Sequence, residues 1–329
     1  MAAMAAMRVI EAGDAGGPEV LRLAGRAIPE PAKGQVLIRV TAAGVNGPDI
    51  KQRKGAYPPP PGASDLMGLE VSGTIAAVGT GVTRWAEGAR VVALTNGGGY
   101  AEYVTVDARH CLPLPEGVDP VDGAGLCETF FTVWSNIFHG HDVPPGASFL
   151  VHGGSGGIGS TAVQLGAAKG LRVFATCSAA STDFVRALGA ERAIDYRSED
   201  FVGVVKEAGG ADIVLDFRGG DYVARNFKAA RMDGRIVMLA FDAGSKVEVN
   251  LGAVLMKRLT LTGSTLRPRS PAFKAAVAAE LEAEAWPLFA TGTLRTVTHA
   301  RYPMAEAAEA HRALETGGHL GKILLTMGS

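Results

Sequence analysis

The pattern of apolar and polar residues along the chain changes near residue 126. Before that point, short stretches alternate between the two classes and end at glycine or proline, which is typical of β-strands joined by turns. These stretches cover residues 34–46, 70–82, 83–94 and 97–115. Four consecutive prolines, Pro58–Pro61, predict a rigid loop. We therefore expect residues 1–125 to form a barrel-like β fold with long loops.

After residue 126, short strands alternate with helices. Apolar stretches rich in β-formers predict strands at residues 149–153, 171–177, 192–195, 211–217, 234–241 and 259–264. Helices are predicted near residues 156–169, 181–188, 199–208, 221–231 and 250–257. This alternation indicates an α/β domain with a doubly wound parallel sheet. Further on we expect an Ala/Glu-rich helix over residues 272–292, a strand, a helix over 304–318 and a last strand over 321–327.

Composition narrows the class of protein. A chain of 329 residues is long for one hydrophobic core, so we expect two domains. A hydrophobic content of 47% with 20% charged residues is typical of a globular protein. The net charge of −1 gives no sign of nucleic-acid binding. The chain has no run of eighteen apolar residues, so we expect no membrane span.

The cysteines and the first residues bear on the compartment. Cys111, Cys127 and Cys177 are widely spaced and form no C-x-x-C pair. This pattern suggests neither a disulfide framework nor a sulfur-ligated zinc site. The initial sequence, MAAMAAM, lacks the basic and long apolar regions of a secretory signal. We therefore expect a cytoplasmic protein.

A glycine-rich loop supplies the first chemical motif. Five of the seven residues from 153 to 159 are glycine, and Gly154, Gly156 and Gly159 have the spacing G-x-G-x-x-G between a predicted strand and a predicted helix. Glycines permit a tight turn and let backbone N–H groups approach a pyrophosphate at the positive end of the helix. We expect Gly156 and Gly157 to allow this approach and to adopt positive φ. The loop, formed by Gly154, Ser155, Gly156, Gly157, Ile158 and Gly159, is therefore predicted to bind a dinucleotide.

Several blocks of the chain together resemble one known family. They include VLIRVTAAGVNGPDIKQRKGAYPPPPGASDLMGLEVSG at 36–73, GGGYAEYVTV at 97–106, VHGGSGGIGSTAVQL at 151–165 and GHLGKILL at 318–325. The chain resembles the zinc-free branch of the medium-chain dehydrogenase/reductases, which consists of the quinone oxidoreductases related to zeta-crystallin. Within that branch it most resembles the group of the p53-induced quinone oxidoreductases. The likeness covers nearly the whole chain.

The resemblance implies a discontinuous architecture. Residues 1–125 and 266–329 would form a GroES-like β-barrel catalytic domain, and residues 126–265 an inserted Rossmann domain. The active site is expected in the cleft between them. The resemblance also implies a homodimer in which an edge strand of each cofactor domain, RLTLTGS at 258–264, pairs with its copy.

Two substitutions argue against a catalytic metal. Zinc-dependent relatives carry a cysteine and a histidine where this chain has Asn46 and Leu69. Neither an amide nor an isobutyl group is a useful zinc ligand. The four-cysteine structural lobe of those relatives is also missing, and the seven histidines are scattered. We expect no metal, and we expect the neighbouring Glu70 to be structural.

The resemblance assigns three residues to the catalytic side, and each has a plainer alternative. Asn46 and Tyr57 would line the substrate, and Thr132 would lie near the nicotinamide. Asn46 could instead be a turn amide, Tyr57 could pack on the prolines that follow it, and Thr132 could bond its own helix backbone.

The cofactor is expected to be NADPH, with NADH possible. The second strand of the α/β domain ends in FATCSAAS, without the acid that usually binds a ribose 2′-OH. Ser178, Ser181, Tyr196 and Arg197 are the candidates near the 2′-phosphate, although relatives carry lysine where this chain has Ser181. The resemblance adds Phe241, Thr265 and Leu266 as cofactor contacts, and the alternative for Thr265 and Leu266 is interdomain packing.

The expected function is metal-free hydride transfer from NAD(P)H to a quinone or a related α,β-unsaturated carbonyl compound. Reduction of an enone or enoyl-thioester double bond is an alternative, because the same hydride can reach a β-carbon. An alternative of another class is a non-catalytic nucleotide binder, either crystallin-like or interacting with RNA. Small molecules are the expected partners, with no nucleic acid and no membrane.

Overall fold

The computed structural model describes residues 6–328, so most of the MAAMAAM stretch lies outside the described residues. The chain divides into two compact units. One comprises the chain up to Phe131 together with the chain from Arg267 onward, and the other is Thr132–Leu266. Among the described residues, no helix has the length and apolar character needed to cross a membrane.

The first unit contains a β-sheet of seven strands and a separate hairpin. Its strands are β1 (Ala6–Ala12), β2 (Leu21–Ala27), β3 (Gln35–Val45), β4 (Glu70–Val78), β5 (Arg90–Leu94), β6 (Tyr103–Asp107), β7 (Cys111–Pro113), β14 (Thr298–Pro303) and β15 (Lys322–Thr326). The sheet runs β14-β15-β3-β4-β5-β7, with β6 also paired to β3, and β1 pairs with β2. The predicted β fold of this region is confirmed, and the chain's last strand adds to the same sheet.

The long strand β3 organises this sheet. It pairs with β4, β6 and β15, all antiparallel. Val36, Ile38 and Val40 alternate along it and are at most 5% exposed. Because side chains on a strand alternate between faces, these three point into one hydrophobic core.

Five helices begin in the first unit. They are α1 (Gly47–Arg53), α2 (Cys127–Ile137), α8 (Pro271–Glu284), α9 (Pro287–Ala290) and α10 (Ala307–Thr316). The single helix expected over residues 272–292 is wrong in one respect, because the chain forms α8 and α9 instead. Pro287 has no N–H to donate within a continuing helix, so α8 ends at Glu284 and Pro287 becomes the first residue of α9.

The second unit confirms the doubly wound sheet. Its strands are β8 (Ser148–Val151), β9 (Arg172–Cys177), β10 (Arg192–Asp195), β11 (Ala211–Asp216), β12 (Ala230–Met238) and β13 (Thr260–Gly263). Its helices are α3 (Gly157–Ala168), α4 (Thr182–Ala187), α5 (Phe201–Glu207), α6 (Tyr222–Ala229) and α7 (Gly252–Lys257). All six strands are parallel, in the order β10-β9-β8-β11-β12-β13. The direction of winding reverses between β8 and β11, where ligands bind in folds of this type.

A buried hydrogen-bonded chain ties α10 to α1 in the first unit. Arg53 Nη1 donates to His311 Nδ1 at 3.2 Å, and His311 Nε2 lies 3.1 Å from the hydroxyl of Tyr100. Since arginine can only donate, Nδ1 must accept, which requires a neutral imidazole with its proton on Nε2. Burial and the Arg53 charge together lower the pKa of His311 to about 3.

We expect His311 to make the fold sensitive to acid. The folded pKa lies below the usual histidine value near 6.5, so the unfolded chain binds the extra proton and stability falls as the pH decreases from 6.5 towards 3. His311→Gln, which can still accept and donate here, removes this contribution. Between pH 6.5 and 4.5 the wild type should lose about 2 kcal/mol more unfolding free energy than the variant. Urea unfolding at both pH values measures this, and equal losses would contradict it.

Candidate functional site

The glycine-rich loop connects β8 to α3. Gly153 has φ +65°, and a Cβ there would lie 2.8 Å from the ring of Phe217. A Cβ on Gly159 would overlap the carbonyl oxygen of Gly153 and lie 2.7 Å from the Cα of Gly154. The first turn of α3 therefore packs directly on the backbone of the loop, and only glycine fits at these contacts.

The N-terminus of α3 has no side-chain cap. Gly156 is the residue before the helix, and no side chain bonds to the N–H groups of the first turn. Unsatisfied N–H groups at the positive end of a helix favour an anion. The expectation of positive φ at Gly156 and Gly157 is wrong, because Gly156 is extended at φ −76° and Gly157 is already helical. The left-handed residue of the loop is Gly153.

A buried polar network lies below this loop, and no local sequence pattern predicts it. His152 Nε2 lies 2.8 Å from Asn226 Oδ1, and its Nδ1 lies 3.1 Å from Thr176 Oγ1. Thr176 Oγ1 also accepts from the N–H of Gly153 at 3.1 Å. Asn226 Nδ2 in turn donates to Asp216 at 2.9 Å. The network thus holds the first residue of the glycine loop to three elements of the α/β unit.

The end of β9 carries the candidate residues for the ribose. Ser178 Oγ lies 3.0 Å from Ser181 Oγ, and Ser181 is buried. The Arg197 guanidinium lies 5.7 Å from the ring of Tyr196, which is 43% exposed. These pairs follow the adjacent parallel strands β9 and β10, so the structure brings all four residues to the carboxyl ends of these strands.

Asp195 also lies at these strand ends, and sequence reasoning missed it. It ends β10 directly opposite Cys177, the last residue of β9. A hydrogen bond from Ser198 Oγ, at 2.6 Å, is the main reason that the pKa of Asp195 lies below its usual value. A carboxylate is therefore present at the end of the neighbouring strand, although β9 itself ends without one.

The remaining predicted cofactor residues follow the carboxyl ends of β12 and β13. Phe241 is 44% exposed and lies beside Gly219, since a Cβ on that glycine would be 2.7 Å from the Phe241 ring. Thr265 is exposed and Leu266 is half-buried. Because the sheet is parallel, these residues lie at the same edge as the glycine loop.

In the first unit, Asn46 belongs to a buried charged cluster. Its Nδ2 donates to Glu70 Oε1 at 3.0 Å, and its Oδ1 accepts from the ammonium of Lys322. The same ammonium lies 2.7 Å from Glu70 Oε1, and Glu70 Oε2 accepts from the N–H of Glu128 at 2.9 Å. Both polar atoms of the Asn46 amide are therefore occupied within the protein.

The same cluster does not fit a zinc ion. A lysine ammonium already bonds the carboxylate of Glu70 and the amide oxygen of Asn46, and it would repel a second cation. Leu69 offers no ligand atom and is buried. The described part of the chain contains no group of three or more His, Cys, Asp or Glu side chains suited to hold a metal.

Tyr57 lies beside an arginine that the sequence did not single out for chemistry. The guanidinium carbon of Arg267 is 5.7 Å from the centroid of the Tyr57 ring. Partial burial raises the pKa of the Tyr57 hydroxyl above its usual value, and the Arg267 charge opposes that rise. No local pattern predicts this contact, because the two residues are far apart in the sequence.

Thr132 lies on α2 and is buried. Its carbonyl accepts from Asn136 Nδ2 at 2.8 Å, but its hydroxyl has no hydrogen-bond partner among the described residues. The alternative that Thr132 bonds its own helix backbone through the hydroxyl is therefore wrong. Thr129 does so instead, donating to the carbonyls of Gly125 and Leu126.

Two known families match parts of the chain. Residues 32–116 match the family described as alcohol dehydrogenase GroES-like domain. Residues 188–325 match the family described as zinc-binding dehydrogenase.

Several known proteins are similar to this chain over nearly its whole length. Quinone oxidoreductase of Rattus norvegicus is 30% identical and covers 98% of both chains. The structure of Escherichia coli quinone oxidoreductase complexed with NADPH is 27% identical, covers 98% of this chain and 100% of the other, and has a TM-score of 0.83. That of mycobacterial Rv1454c complexed with NADPH is 30% identical, covers 97% and 99%, and has a TM-score of 0.85.

We expect the Lys322–Glu70 pair to be required for stability. Lys322→Met would leave the fully buried Glu70 carboxylate without its cation and should lower the free energy of unfolding by about 3–5 kcal/mol. Adding Glu70→Gln should recover part of that loss, because no buried charge then remains unpaired. Urea unfolding of both single variants and the double variant at pH 7 measures this. Strictly additive losses would contradict the pairing.

Proposed function

The chain belongs to the medium-chain dehydrogenase/reductase family as an enzyme of the quinone oxidoreductase type, and we propose that it transfers a hydride from NADPH to quinones or related α,β-unsaturated carbonyl compounds without a metal. The observation that carries this proposal is the 30% identity to a quinone oxidoreductase over 98% of both chains. The lysine in the Glu70 cluster supports the metal-free mechanism.

The dinucleotide site is proposed along one edge of the α/β unit. The N–H groups of Ser155, Gly157, Ile158 and Gly159, just before and within the first turn of α3, would hold the pyrophosphate. Phe241, Thr265 and Leu266 would contact the nicotinamide end, and the serine pair after β9 the adenosine ribose. Two of the similar structures contain NADPH, which supports this choice of cofactor.

The first unit is proposed to supply the substrate side. A bound reduced nicotinamide supplies the hydride, and the chain must stabilise the negative charge left on the acceptor oxygen. The Tyr57 hydroxyl would donate a hydrogen bond to that oxygen. Since the Asn46 amide is occupied by Glu70 and Lys322, its role would be to hold α1 in place. The free hydroxyl of Thr132 is available to the cofactor.

We also propose a cytoplasmic location. All three cysteines are buried and unpaired. A reducing, cytoplasmic environment suits that state.

The central experiment follows the loss of NADPH absorbance at 340 nm. We expect turnover with simple or fused-ring quinones, unchanged by a chelator. Enones and enoyl thioesters are assayed beside them to separate the two kinds of reductase. Failure to oxidise NADPH with any acceptor, together with retained NADPH binding, would favour the non-catalytic nucleotide binder and contradict the proposal.

Replacing the Tyr57 hydroxyl should slow the reaction. Tyr57→Phe removes one hydrogen bond to the developing charge, so we expect kcat to fall roughly 10- to 100-fold. Tyr302→Phe on β14, also half-buried, is the matched control and should keep its rate. Unchanged kinetics in Tyr57→Phe would remove this residue from the catalytic machinery and leave the reductase assignment standing.

The preference for NADPH over NADH should be modest. Ser181 is neutral, and the nearby Asp195 carboxylate disfavours a 2′-phosphate. Ser181→Lys should increase the preference by roughly 1.5–3 kcal/mol if the new bond is charge-assisted. The ratio of kcat/KM values for the two cofactors measures it, with the neighbouring Thr182→Lys as control. A wild-type preference for NADH would contradict the cofactor assignment.

We also propose a homodimer formed through the α/β units. Strand β13 lies at the sheet edge with one neighbour, β12, among the described residues. Leu251, Leu255 and Met256 on and before α7 are 63%, 78% and 72% exposed. An open strand edge beside exposed apolar side chains favours association with a second copy.

Light scattering at micromolar concentration should give the mass of a dimer. Leu255→Glu should shift that mass towards the monomer, because it would place a charge in the apolar contact. Leu23→Glu on β2, at a residue that is 50% exposed in the other unit, is the control and should leave the dimer intact. A monomeric wild type would overturn the proposal.

A further inference from the structure

Two buried cations in the first unit form no direct ion pair among the described residues, although the more distant Asp49 acts to raise the pKa of one of them, Arg267. Arg267 is 5% exposed and Lys274 is 1% exposed. The Lys274 ammonium donates to Asn96 Oδ1 at 2.6 Å and to the carbonyl of Arg267 at 2.8 Å. Arg267 bonds only carbonyl and amide oxygens, and among the described residues neither side chain forms an ion pair.

This arrangement is unfavourable in the absence of a further anion. Burial lowers the pKa of Lys274 to about 8 and also lowers that of Arg267. The other buried arginine and lysine described in the first unit each have a carboxylate, since Arg53 bonds Glu315 and Lys322 bonds Glu70. Buried charges need a partner, and ionisable groups with strongly perturbed pKa values cluster at functional sites, so an anionic ligand is a candidate partner for these two cations.

Arg267 has N–H groups left over that such an anion could use. Arginine has five N–H groups, and Arg267 uses three of them, two on the carbonyl of Asn96 at 3.0 and 2.7 Å and one on Gln52 Oε1 at 2.7 Å. Two N–H groups remain without a partner among the described residues. The guanidinium carbon lies 5.7 Å from the centroid of the Tyr57 ring. Of the proposed catalytic residues, Tyr57 is therefore the one that the Arg267 charge contacts.

We infer that Arg267 stabilises the negative charge formed on the acceptor oxygen, and that it acts through Tyr57. Gln52, Asn96 and Lys274 hold Arg267 in place. The inference rests on the proposed function. In the balanced step, the hydride leaves NADPH as NADP⁺ forms and the quinone becomes a hydroquinone monoanion. A proton then passes from the Tyr57 hydroxyl to that anion, and water returns a proton to the phenolate. A cation beside the ring favours each negatively charged species in turn.

A double-mutant cycle tests the coupling between the two residues. Arg267→Gln should lower kcat about 10-fold or more, and Arg267→Lys should recover a large share because the charge returns. In a Tyr57→Phe background, Arg267→Gln should cost less than about 2-fold. Arg269→Gln is the matched control, since Arg269 lies in the same loop but contacts Phe273 at 4.7 Å, and its rate should be unchanged.

A binding experiment gives a readout that does not need turnover. The probe is 2-hydroxy-1,4-naphthoquinone, which is an anion at neutral pH, and the neutral reference is its 2-methoxy analogue. With NADP⁺ present, calorimetry should show tighter binding of the anion to the wild type. Arg267→Gln should weaken binding of the anion about 10-fold and leave binding of the methoxy compound within 2-fold.

The outcomes separate this inference from the proposed function. Equal affinity of the wild type for both naphthoquinones, or an equal cost of Arg267→Gln with and without Tyr57, would overturn the inference while the reductase assignment stands. No turnover with any acceptor, with the anion preference intact, would overturn the proposed function alone. If Arg267→Gln does not fold, Arg267→Lys and Lys274→Gln are measured instead. Lys274→Gln should weaken binding of the anion selectively, and an equal effect on both probes would again overturn the inference.

Discussion

The packing of the first unit depends on the hydrogen bonds and the ion pair of the buried Glu70 carboxylate. The carboxylate is fully buried, and it accepts from the Asn46 amide at the start of α1, from the backbone of α2 and from Lys322 on β15. A Cβ on Gly44 would overlap its Oε1, so β3 must carry glycine there. A buried charge is tolerated only with its full set of partners, and meeting that requirement brings four separate elements together. The same requirement places a lysine where a metal would otherwise be expected.

The α/β unit is organised by backbone contacts instead of charge. Gly153 and Gly159 are fixed by the close approach of loop and helix, and the loop therefore presents N–H groups with no side chain in front of them. The His152–Thr176–Asn226 network, which continues to the buried Asp216, holds this loop from below. The positive end of α3 is free of side-chain caps, which suits an anionic ligand.

The first unit contains buried cations of two kinds. The first unit contains paired charges, such as Arg53 with Glu315, which maintain the fold. It also contains Arg267, whose guanidinium lies over the Tyr57 ring, and Lys274, which donates to Asn96 and to the carbonyl of Arg267. Under the role that we infer for these two cations, stability and function place opposite demands on buried cations within one unit.

The sequence by itself determined the strands and helices of the α/β unit and the position of the glycine loop, because local periodicity and turn chemistry are properties of neighbouring residues. The predictions made from the sequence did not include α1, although Asn46 and Pro48 are residues that often begin a helix. They also did not include the hairpin of β1 and β2. Only the tertiary structure joined Lys322 to Asn46, 276 positions away, and Arg267 to Gln52, 215 positions away. Such pairs have no local signature, since the free energy that selects them arises from burial of both partners in the folded chain.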